Sequence, residues 1–182
     1  MKRIILAMLV AGIAVAANAA PAAATVKFAG ECSFDGASTF GVPLKFVPQE
    51  MDWSFDTHPN GGKCTGLLNG QLVQDTPVSA HVDAHGPISC GVLGSSLDAP
   101  FVATFSAITS GDNQLSGRLS LAAVAAQNAV AITGDEGGQA AGRASFFGQN
   151  DQVAVAQGCL DGNTVTSLNV NVTVATAPTI KG

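Results

Sequence analysis

Along most of this chain apolar and polar residues alternate with a period of two rather than 3.6. In "PVSAHVDAHG", Val78, Ala80, Val82 and Ala84 alternate with Ser79, His81, Asp83 and His85. In "APFVATFSA", Phe101, Ala103, Phe105 and Ala107 fall on one face. Leu115, Leu119 and Leu121 oppose Ser116, Arg118 and Ser120, and Val170, Val172 and Val174 oppose Asn169, Asn171 and Thr173. Successive side chains of a strand point to opposite faces, so each segment reads as a strand with one buried and one wetted face, the pattern of antiparallel sheets.

The breaks between these segments carry turn chemistry. "LLNGQLV" sets Asn69-Gly70 between two apolar runs, a two-residue hairpin turn in which both central residues need positive φ. "TSGDNQ" and "TGDEGGQ" read as further hairpin turns, and "FDTHPNGGKC" as a Pro/Gly loop. Turns recurring about every ten residues predict an all-β fold, an antiparallel β-sandwich or β-barrel of about nine to ten strands. "SLAAVAAQNAVA" is rich in alanine but lies between strands without an N-cap, and is read as strand. "GQNDQVAVAQGC" predicts one short helix near 150–158, started by Asn150 or Asp151 and stopped by Gly158.

The N-terminus reads differently. Lys2 and Arg3 precede "IILAMLVAGIAVA", too short to span a bilayer, and then Ala17–Ala19 supply an A-x-A cleavage signature. This predicts a secretory signal peptide over 1–19. What remains, 20–182, is expected to be a single exported β domain with its ordered core over about 25–176. No later segment approaches spanning length, so no transmembrane segment is expected after cleavage and the product should be secreted, extracellular or in the cell envelope.

Export changes how charge and cysteine are read. Without Lys2 and Arg3, six basic residues face thirteen acidic ones, which excludes a nucleic-acid partner, since phosphate needs a basic footprint. A cell-envelope or protein partner stays open. Four cysteines, Cys32, Cys64, Cys90 and Cys159, predict two disulfides in an oxidising compartment. All three pairings are open, and the spacing does not suit zinc. With no Tyr and one Trp, the chain lacks the aromatic girdles of an outer-membrane barrel.

"AGECSF", "GGKCTGLLNG", "ISCG" and "GGQAAGRASFF" followed by a late cysteine resemble a pattern of small exported bacterial β-rich proteins with paired cysteines. The resemblance covers most of the mature chain, rests on Gly and Cys placement, and implies a fold type and no activity.

Two stretches carry candidate chemistry. On a strand, His81, Asp83 and His85 line up on one face at roughly 7 Å per step. They are candidate metal ligands, but a straight strand spreads the outer two too far to share one ion, so a solvated face is expected. "PQEMDWSFD" offers Glu50, Asp52 and Asp56, carboxylates of the kind that glycoside hydrolysis pairs. Alternation puts Trp53 on the opposite, apolar face, as a core anchor. "TGDEGG" suits calcium only in composition. The expected function is a secreted or cell-surface non-catalytic binding or structural module held by two disulfides, with no cofactor. The alternatives are a secreted hydrolase using the acids or a His–Asp–His metal site, and a β-barrel carrier of a small ligand.

Overall fold

The computed structural model describes residues 25–90, 97–108, 113–124, 127–145, 150–162 and 164–182. The predicted signal peptide lies outside the described residues, as does most of "TSGDNQ". Eight strands follow one another as a meander: β1 (Lys27–Phe40), β2 (Gln49–Leu68), β3 (Gln71–Ile88), β4 (Leu97–Phe105), β5 (Gln114–Val124), β6 (Gln127–Gly134), β7 (Gly137–Ser145) and β8 (Ser167–Lys181). Each pairs antiparallel with the next, and β8 pairs back onto β1, closing a barrel. The β3–β4 ladder is short, running only from Val78–Phe105 to Val82–Phe101, so β3 beyond Val82 and β4 before Phe101 are not paired with each other.

The alternation read from the sequence is the inside–outside alternation of this barrel. Trp53, Phe55, Val82, Phe101, Leu119 and Val170 are among the residues buried in its core. Asp52, Asp56, His81, Asp83, His85 and Arg118 are exposed. An outer-membrane barrel has the reverse polarity, apolar outside and polar within. An eight-stranded barrel has an interior just wide enough for side chains to fill. Here they leave a void of about 40 Å³ between Phe34, Trp53, Phe101 and Val170, and a second of about 30 Å³ around Phe28 and Phe105.

Eight strands replace the expected nine to ten because "FDTHPNGGKC" does not end a strand. It lies inside β2 as an irregular excursion, and the β2–β3 ladder resumes beyond it. The Asn69-Gly70 turn stands as expected, with φ of 52° and 81°. "TGDEGGQ" turns β6 into β7 through Asp135 and Glu136. Ala107 leaves the expected apolar face, since β4 stops at Phe105 and Ala107 is exposed. β8 runs past the expected core limit, to Lys181.

One helix, α1 (Gln152–Asp161), interrupts the meander between β7 and β8. Asp151 is its N-cap, its carboxylate accepting from the backbone N–H of Val153 and Ala154. Gly158 does not stop it. The helix continues to Gly162, whose left-handed φ of 68° is a conformation open to glycine. Only Gly158 and Cys159 of α1 are buried, so the helix rests on its last turn. Two disulfides form, Cys32–Cys64 and Cys90–Cys159. The first joins directly opposed residues of β1 and β2, and the second ties α1 to the end of β3.

Candidate functional site

The two stretches singled out in the sequence meet on the outer face of β2 and β3. Register brings them together. Beside the Asn69-Gly70 turn, Leu68 pairs with Gln71, and a ladder continued unbroken from there would set Asp56 opposite Asp83. The irregularities between Asp56 and Gly66 shift the pairing by two residues, so that Asp56 faces His81 and Asp52 faces His85. A shift of two keeps every side chain on its own face, and here it replaces an opposed pair of like charges by two Asp–His pairs.

The contacts follow from that register. His81 Nδ1 lies 2.7 Å from Asp56 Oδ1, and its Nε2 lies 2.8 Å from Asp83 Oδ2. His85 Nδ1 lies 2.8 Å from Asp52 Oδ1, while its Nε2 is 3.8 Å from Glu50. The side chains stay wet: His81 is 50% exposed, Asp56 65% and Asp83 73%. The hydrogen bond to Asp56, then that to Asp83, hold the His81 imidazole above its ordinary pKa.

Next to this row the surface dips into an open recess of about 550 Å³ lined by Thr39, Asp52, Ser54, Asp83, His85 and Asp98, among others. The Thr39 and Ser54 hydroxyls bond one another at 2.6 Å. Asp98, which sequence reasoning did not single out, is held by Arg118, with Nε 2.9 Å and a terminal guanidinium nitrogen 2.8 Å from its carboxylate. Its signal was diagonal: Asp98 pairs with Ser120 and Pro100 with Arg118 across β4 and β5, which puts acid and base one step apart on one face.

His81, Asp83 and His85 do not gather as a ligand set. Both nitrogens of His81 face carboxylates, and among the described residues no group of three or more His, Cys, Asp or Glu side chains is placed to hold a metal ion. Trp53 is 8% exposed and lines both the interior void and the recess. Within the barrel, Ser38 is buried beside the void, and its hydroxyl finds no hydrogen-bond partner among the described residues.

No protein-family profile, curated protein or solved structure matches the chain.

Proposed function

We propose that this chain is an exported, non-catalytic binding module that engages a partner through the outer face of β2 to β4, and that the partner brings cationic groups to it. The observation that carries this reading is the recess, where Asp52, Asp83 and Asp98 come together beside Glu50 and Asp56. These are five of the thirteen acidic residues in the chain, against one arginine and two histidines.

The alternatives find less support. A carrier holds its ligand in a cavity of about 300 to 1,000 Å³, and the larger interior void is about 40 Å³, room for about three waters. A hydrolase needs carboxylates whose surroundings set them apart in pKa and shut water out. Asp52 is 87% exposed and Asp83 73%. The two disulfides suit a module that works outside the reducing cytoplasm.

An octalysine peptide at low salt, followed by amide chemical shifts of the folded domain, tests the reading. Shifts should concentrate at Asp52, Ser54, Asp83 and Asp98 and fade as salt is added. They should weaken in the double variant Asp52→Asn, Asp83→Asn. Shifts spread evenly over every acidic residue of the barrel, or none at all, overturn it.

A further inference from the structure

A hydrogen-bond count at His81 goes further than the shape of the face. A neutral imidazole has one N–H donor and one lone-pair acceptor, and an ionised carboxylate only accepts. His81 offers both nitrogens, at 2.7 and 2.8 Å, to oxygens of two different carboxylates. Two acceptors demand two donors, so this geometry belongs to the doubly protonated ring. His85 is the internal comparison. It makes one short contact, to Asp52, and its second nitrogen stands 3.8 Å from Glu50, so a neutral ring with its proton on Nδ1 satisfies it.

Among the described residues, the surroundings of His81 contribute no charge besides Asp56 and Asp83. From β2 it faces Asp56, from its own strand Asp83 and Ser79, and from β4 it is paired with Val102. Asp56 is also the last β2 residue in register before the "THPNGG" excursion. That excursion is tied independently by the Thr57 hydroxyl, which accepts from the Ala80 N–H at 3.1 Å. Loss of the His81 proton therefore does not have to dismantle the strand pair.

We propose that Asp56, His81 and Asp83 form a proton-binding site that gates the acidic face: the imidazolium neutralises Asp83 when protonated and releases a carboxylate when the proton leaves. After deprotonation one ring nitrogen presents a lone pair to a carboxylate oxygen at hydrogen-bond distance. That contact is repulsive, so one of the two bonds must open. Asp83 lines the recess. Whichever bond opens, the imidazolium charge that offset Asp56 and Asp83 is lost, so the face binds cations more strongly as pH rises through the His81 transition. The gating rests on the binding reading given above, whereas the proton site stands without it.

Two measurements separate the parts. Long-range ¹H–¹⁵N correlation spectra of the folded domain report the protonation of each ring nitrogen across pH. His81 should keep both protons above the pH range of an ordinary imidazole. Asp83→Asn, whose amide can donate to Nε2 of a neutral ring, should lower the His81 midpoint. A His81 ring that loses a proton within the ordinary imidazole range, or a midpoint that ignores Asp83→Asn, overturns the proton site. Octalysine affinity is then measured across the same range. It should rise with the fraction of neutral His81 and become flat there in His81→Gln. Affinity indifferent to the ring's titration overturns the gating. Octalysine that binds at no pH overturns the binding reading and the gating with it, while the ring spectra still decide the proton site.

Discussion

Asp52 and His85 are 33 residues apart in sequence, yet Asp52 Oδ1 and His85 Nδ1 lie 2.8 Å apart. The pair spans β2 and β3 on the open side of the barrel, where both side chains are mostly in water, at 87% and 65% exposure. Its geometry is good and its energy is small, because solvent screens the attraction and holding two side chains in one arrangement costs entropy.

A double-mutant cycle on Asp52→Asn and His85→Ala should return a coupling below about 1 kcal/mol at neutral pH. Urea unfolding of the four proteins measures it. A coupling several times larger means that the pair is buried in the working form of the protein, as it would be under a bound partner or within an oligomer.

Both halves of this pair were legible in the sequence, and their meeting was not. Period-two alternation places Asp52 and His85 outside and Trp53 and Val82 inside from local pattern alone. Which outward residue of β3 stands across from Asp52 depends on the irregularities between Asp56 and Gly66, and no local rule counts residues through a bulge. The same excursion hid the strand number, because Pro59, Gly61 and Gly62 carry the composition of a loop while the ladder continues beyond them. Disulfide pairing was illegible for a related reason. Cys32 and Cys64 meet because β1 and β2 pair in one register, a long-range fact. The polarity of the barrel was legible in composition and not in alternation, which an outer-membrane barrel shares: with no Tyr and one Trp there is no aromatic girdle.

Stability should depend on pH through His81. Its folded pKa is raised above the unfolded value of 6.5 by Asp56 and Asp83, so the charged ring favours the folded state. That contribution is fully present below pH 6.5 and is lost as pH rises through the folded pKa. The stability difference between the parent and His81→Gln should therefore shrink as pH is raised across that window. Urea midpoints at a series of pH values check it, and a difference that grows with pH has the wrong sign for this arrangement. The amplitude should be modest because the ring is half exposed.

Ser38 should be replaceable with profit. A buried hydroxyl without a partner costs about 1 to 3 kcal/mol relative to one that is bonded, and Ser38 is 1% exposed against an apolar void. Ser38→Ala removes the orphan group without adding bulk, and should leave the protein as stable as the parent or more so. A clear loss of stability would show that the hydroxyl is bonded in solution, to an ordered water for example.

Trp53 gives an optical readout of the same interior. It is the one tryptophan in the chain and is 8% exposed, so its emission should be blue-shifted in the folded state and move red on unfolding. Trp53→Ala should cost about 3 to 5 kcal/mol, the usual range for emptying a buried aromatic site. An equally stable variant would place the indole outside the core.

The two disulfides should fail differently. Cys32–Cys64 joins opposed residues within the barrel wall, with Cys64 buried at 1% exposure. Cys90–Cys159 instead anchors α1, which otherwise buries only Gly158 beside Cys159. Each bridge should contribute about 2 to 5 kcal/mol, chiefly by limiting the unfolded chain. Replacing Cys90 and Cys159 together by Ala should also loosen α1 in the folded state, because few other contacts hold it. Hydrogen exchange separates the two effects. The amides of Val155 to Gly162 should lose protection ahead of the β1–β8 ladder in that variant, whereas replacing Cys32 and Cys64 should lower protection of the ladder and spare the order between helix and barrel. A helix that keeps its protection without Cys90–Cys159 is held by packing instead, and the anchoring role assigned to that bridge is then wrong.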